Sequence, residues 1–125
     1  MVMAMLLVTA NKSRQLLSVS FIGEVRPEEF PAGRSELAAE LAGFSPSFHY
    51  LADFSQLVSM HPDCAPEMGL TMELIAKAGV GMVVRVIPDP SKDIGMNILT
   101  VFHYPPELQV VTCQTLAEAI RALGL

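Results

Sequence analysis

The sequence predicts a single α/β domain built on a mostly parallel sheet of four to five strands, opened by an N-terminal antiparallel hairpin and carrying about four helices. Three observations predict it. Residues 15–23 alternate, with Leu17, Val19 and Phe21 on one face and Ser18 and Ser20 between them, the pattern of a strand with one covered face. Residues 80–87 are apolar apart from Arg85, as in a strand covered on both faces. After the hairpin, apolar residues recur at helical spacing between the strands, so the connections cross over and the sheet is largely parallel.

Each element has its own local reason. Residues 3–9 read as the first strand, and Asn11 to Arg14 as the turn into the second. Pro27, Glu28 and Glu29 suit the first turn of a helix, and Phe30, Leu37, Leu41 and Phe44 follow at near-helical spacing opposite Arg34, Glu36 and Glu40. Residues 48–54 form a short apolar strand ending in Asp53, followed by a loop. Pro62 suits the first position of the next helix, with Asp63, Cys64 and Glu67 in its opening turn and Met68, Met72 and Ile75 on its inner face; Gly79 or Gly81 ends it. Pro88 and Pro90 stop the following strand. Asp93 caps a short helix with Ile94, Ile98 and Val101 or Phe102 turned inward. Residues 108–112 form the last strand. Thr115 to Glu118 has the form of a capping box, with Leu116, Ile120 and Leu123 as the buried stripe of the final helix.

Composition narrows the function classes. The 125 residues suit one domain; 51% are hydrophobic, 17% are charged, and the mean hydropathy is +0.43, which argues against disorder. The longest apolar run, Met1 to Val8, is far short of the roughly 20 residues a membrane helix needs. It has neither the basic start nor the small-residue cleavage site of a signal peptide, so a soluble cytoplasmic protein is expected. A net charge of −5, with eight basic residues scattered singly, argues against nucleic acid as a partner. Cys64 and Cys113 match neither a disulfide framework nor a zinc spacing, and His49, His61 and His103 have no metal-ligand spacing. No cofactor is expected. Eight methionines serve either as adaptable core filling or as a soft apolar ligand surface. The apolar sequence also suggests a sheet edge or helix face left for self-pairing, hence a homodimer.

The order of elements, together with Asp53-Phe54-Ser55-Gln56-Leu57, resembles STAS (SpoIIAA-like, anti-sigma-factor antagonist) domains over about residues 15–123. In that family a strand ends in Asp-Leu-Ser, and an Asp-Ser-Ser-Gly element opens the next helix; its second serine accepts the regulatory phosphate. Laid on this chain, the element falls on His61-Pro62-Asp63-Cys64, with Asp63 at the phospho-acceptor place. Neither Pro62 nor Asp63 has a hydroxyl, and an aspartate supplies about one negative charge where a phosphoserine supplies about 1.5 to 2. The resemblance therefore implies a SpoIIAA-like fold without a regulated phosphoserine. The chain is similar to the divergent STAS/SEC14 domain-containing group, also through residues 84–90 and Lys92 to Gly95, and that group implies no particular reaction.

Ligands of parallel sheets favour the crevice beyond the carboxyl ends of the strands. Asp53, His61 and Asp63 follow one such end, and Asp89, Lys92 and Asp93 follow another. If the two strands pair, these six residues converge on one rim; read structurally, they are ordinary loop and cap residues. Arg85 must reach solvent or find a carboxylate, and a structural ion pair with an acid on a covering helix is expected rather than ligand binding. Three functions are open. The first is a non-catalytic interaction or regulatory module docking a protein partner through the segment from Met60 to Met68. The alternative is a carrier of a small apolar or lipid-like ligand. The third is an enzyme using His61 with Asp53, Asp63 or Asp93 for acid–base chemistry. No nucleophile elbow, phosphate loop or dinucleotide glycine motif is present.

Overall fold

The computed structural model describes residues 4–89 and 93–124, and only the backbone of residues 93, 94 and 97. The hairpin consists of β1 (Met5–Asn11) and β2 (Leu16–Val25), antiparallel, with a short 3-10 turn at Lys12–Arg14 between them. A second 3-10 turn, Pro27–Glu29, leads into α1 (Phe30–Leu41). Next come β3 (His49–Asp53), β4 (Leu57–Met60), α2 (Cys64–Lys77), β5 (Met82–Val86), α3 (Asp93–His103), β6 (Gln109–Cys113) and α4 (Leu116–Ala122).

Among the described residues the sheet has six strands rather than four to five. The main path runs β1-β2-β3-β5-β6, parallel after the hairpin, and β4 pairs in parallel with β2. Residues 57–60, expected to be loop, are therefore strand. The cause is tertiary. β2 continues to Val25, beyond its pairing with β1, which ends at Ile22, and offers Gly23 to Val25 as a template. Gly23, at φ +80°, takes up the register shift there.

Alternation along the strands builds two cores. Leu17, Val19, Phe21, Tyr50, Ala52 and Val83 face the layer formed by α1, α2 and part of α3. Leu51, Val84, Val86 and Cys113 face α4 through Ala119 and Leu123. Helix α2 buries Met68, Met72 and Ile75 as its spacing predicts, but it begins at Cys64 rather than Pro62. Gly79, at φ +91°, supplies the left-handed residue that ends the helical run. Arg34 on α1 and Glu67 on α2 meet at 2.8 Å and tie those two helices together.

Two expected helix faces are corrected. In α4 the inner stripe is Ala119 and Leu123, while Leu116 and Ile120 are exposed. The helix is only two turns long and rests on the sheet through one narrow i, i+4 line. The predicted cap holds: the Thr115 side chain accepts the Glu118 N–H at 3.2 Å. In α3, Ile98, Val101 and Phe102 are 55%, 78% and 76% exposed rather than buried. The helix rests instead on partly buried Met96 and Leu99 and on polar anchors described below.

Both tyrosines of the chain, Tyr50 and Tyr104, are buried. Burial pushes both phenols above their ordinary value of 10.0; Tyr104 raises Tyr50 further, and Arg85 opposes the rise at Tyr104. Above pH 10 the unfolded chain loses phenol protons that the folded chain retains, so stability must fall as pH rises from 10 towards the folded values. Absorbance titration should detect no phenolate until the fold melts. Ionisation at pH 10 with the far-ultraviolet circular dichroism intact would contradict this burial.

Candidate functional site

The site begins where β3 ends. Asp53 is buried, and its Oδ1 accepts the Ser55 N–H at 2.9 Å, a side chain holding its own turn. The Phe54 N–H still donates to the Val86 carbonyl at 2.9 Å, and the Leu57 N–H closes the turn on the Phe54 carbonyl at 3.2 Å. These bonds carry the chain from β3 to β4 in three residues, so β4 continues the track of β3 along β2. At its far end the His61 N–H donates to the Val25 carbonyl at 3.1 Å.

His61, Pro62 and Asp63 then make the turn into α2. The Asp63 N–H donates to His61 Nδ1 at 3.1 Å, and the Cys64 N–H donates to the His61 carbonyl at 2.9 Å. Because Nδ1 is an acceptor here, the neutral imidazole carries its proton on Nε2. The Asp63 carboxylate lies 3.7 Å from Nδ1, beyond hydrogen-bond reach, and is 78% exposed. It makes no side-chain cap, so it acts on α2 only as a charge near the positive end of the helix. Cys64 is buried beneath this turn, its Sγ donating to the Val25 carbonyl at 3.7 Å. Burial pushes its thiol pKa up, and Glu28, Glu29 and Asp63 add to the rise.

β3 and β5 pair with Asp53 opposite Val86, so the ends of these two strands are neighbours. Past them opens a groove of about 720 Å³ between β4, the start of α2, Ile87 to Asp89, and α3. Its apolar lining comes from Phe54, Leu57, Met60, Met68, Ile87 and Leu99, with Met96 beside them; Ser55, Ser59, His61 and Asp89 add polar groups. Of the six residues expected at a common rim, His61 and Asp89 line this groove, and Asp63 stands next to His61 in the turn. Asp53 does not join them, because it shares the face of Leu51, which belongs to the core on the α4 side. The side chain of Asp93 and all of Lys92 lie outside the described residues. Met60 and Met68 bound the segment singled out in the sequence, whereas Met96 was not named there and had no local signal.

Helix α3 is held over the groove by polar pins. Arg85, 2% exposed on β5, donates through Nη1 to the Met96 carbonyl at 3.2 Å and to Thr100 Oγ1 at 2.7 Å. The covering helix thus meets Arg85 with a carbonyl and a hydroxyl among its partners, where an acid was expected. At the other end His103 Nδ1 meets Glu73 Oε2 of α2 at 2.5 Å. The ring packs against Gly69, where a Cβ would come within 2.5 Å of Nε2. This His–Glu pair joins α2 and α3. Among the described residues no three His, Cys, Asp or Glu side chains gather as a metal site.

No family model matches the chain, and no curated protein matches it. Solved structures do. An uncharacterised protein of the DUF3478 family with a SpoIIAA-like fold, from Shewanella loihica, superimposes with a TM-score of 0.69 at 15% identity, over 94% of this chain and 91% of that one. An anti-sigma factor antagonist from Mycobacterium paratuberculosis gives 0.60 at 21% identity, over 96% and 93%. The anti-sigma factor antagonist SpoIIAA in its unphosphorylated form gives 0.60 at 18% identity, over 96% and 99%. The fold of this chain is therefore STAS/SpoIIAA-like. No helix of the described residues is long and apolar enough to cross a membrane.

Proposed function

We propose that the chain is a non-catalytic, STAS-type regulatory module of the cytoplasm that docks a protein partner through the groove face of the segment from Met60 to Met68. The observation that carries this reading is the apolar groove itself, open beside the N-terminal turn of α2 and edged by His61 and Asp89. Asp63 fits the reading as a fixed charge at the place where the family resemblance puts a switchable phosphate, so docking here is constitutive. An acid–base enzyme is less well supported: Asp53 turns to the other face, and His61 Nδ1 is taken by a backbone amide.

The test is recovery of a partner from cell extract by immobilised protein, comparing the wild-type chain with the His61→Ala, Asp63→Ala double variant. Both positions are exposed, so folding should be retained; recovery should fall at least tenfold. Undiminished recovery would remove this surface from consideration. A second reading, in which the groove carries a small amphipathic ligand, is favoured by the soft lining of Met60, Met68 and Met96. Native mass spectrometry of freshly purified protein should then show an added mass, and a single unliganded mass would set that reading aside.

A further inference from the structure

All four residues of β4 line the groove, although successive side chains of a strand point to opposite faces. A hollow touched by Leu57, Val58, Ser59 and Met60 in turn must run along the backbone edge of the strand. That edge is open: among the described residues β4 has one strand neighbour, β2, on its other side. β4 continues the track of β3, so the lane beside it is the extension of β5. There the chain leaves at Pro88, after the Ile87 N–H has donated to the Cys113 carbonyl at 2.8 Å. Among the described residues the groove is thus an unfilled strand position in the sheet, floored by Phe54 and Ile87 and walled by α3.

We infer that this vacant lane receives an extended polypeptide segment of the partner, which adds a strand to β4. The inference rests on the docking reading above. Main-chain bonding to the edge fixes the register, and alternate apolar side chains enter towards Met68 and Leu99. Charge specifies the segment further. The Asp63 carboxylate, exposed and 3.7 Å from Nδ1 of groove-lining His61, marks the end of the lane beside the start of α2. An exposed carboxylate there, on a chain of net charge −5, favours Lys or Arg at the corresponding end of the peptide. The same net charge disfavours an anionic membrane surface as the occupant.

The test uses amidated seven-residue peptides with lysine at both ends, threonine at positions three and five, and valine, leucine, phenylalanine or methionine at positions two, four and six. They are titrated into isotope-labelled full chain and followed by amide chemical shifts. At least one peptide should bind with a dissociation constant of about a millimolar or tighter and shift the amides of Leu57 to Met60. N-methylation of alternate peptide nitrogens on the pairing edge, and glutamate in place of the lysines, should each weaken binding about tenfold. Shifts confined to other elements, or equal binding after N-methylation along either edge, would overturn strand addition. So would failure of every peptide to displace a partner recovered from extract, while leaving the docking reading intact. The docking reading fails separately, if the double variant recovers that partner undiminished.

Discussion

Truncating Phe21 to alanine is expected to cost about 4 kcal/mol, the usual range for a fully buried aromatic. Phe21 has no exposed surface, stacks on Phe54 with centroids 4.6 Å apart and planes 7° apart, and meets Phe30 at 6.2 Å. The loss combines the transfer free energy of the ring with the cavity it leaves. A domain of this size has only about 5–15 kcal/mol in hand, so the urea midpoint should fall sharply. The consequence reaches the site, because Phe54 floors the groove and loses its stacking partner. Partner binding should weaken under conditions where the variant is still folded. Ser20→Ala, one residue away on the opposite face, is the control and should change stability by no more than about 0.5 kcal/mol. A small change at Phe21 would mean that the aromatic stack is not the centre of the core.

Arg85→Ala is expected to cost about 3 kcal/mol through lost charged hydrogen bonds and a new cavity beneath α3. The Met96 carbonyl keeps the Thr100 hydroxyl as a donor at 2.8 Å, so that acceptor is not left bare. Arg85→Met restores most of the volume and should recover part of the loss, namely the share that comes from the cavity. Hydrogen exchange should separate the two roles. In the alanine variant, α3 amides should exchange much faster while β2 and β3 change little; a uniform acceleration would show that Arg85 supports the whole core rather than this helix.

The parts of the fold legible in the sequence were those whose reasons are local. The alternation of Leu17, Val19 and Phe21 announced β2, the spacing of Met68, Met72 and Ile75 announced the inner face of α2, and Thr115 announced the start of α4. β4 was not legible, because four residues interrupted by Ser59 carry no period of their own and become strand only against the overhang of β2. The inner face of α3 was hidden for another reason. Ile98, Val101 and Phe102 look like a buried stripe, yet the side towards the sheet is chosen by Arg85 bonding to Met96 and Thr100 and by His103 seated on Gly69. Polar anchors outweighed the apolar pattern. The candidate site was half legible: strand order brought His61 and Asp89 to one opening, while the alternation of β3 turned Asp53 away.

The most direct measurement of the docking account is amide hydrogen exchange of the chain alone and saturated with its recovered partner. Slowing should concentrate in residues 57–68 and 96–99, the two walls of the groove. Slowing confined to the outer edge of β1 or to α4, with the groove walls unchanged, would contradict it.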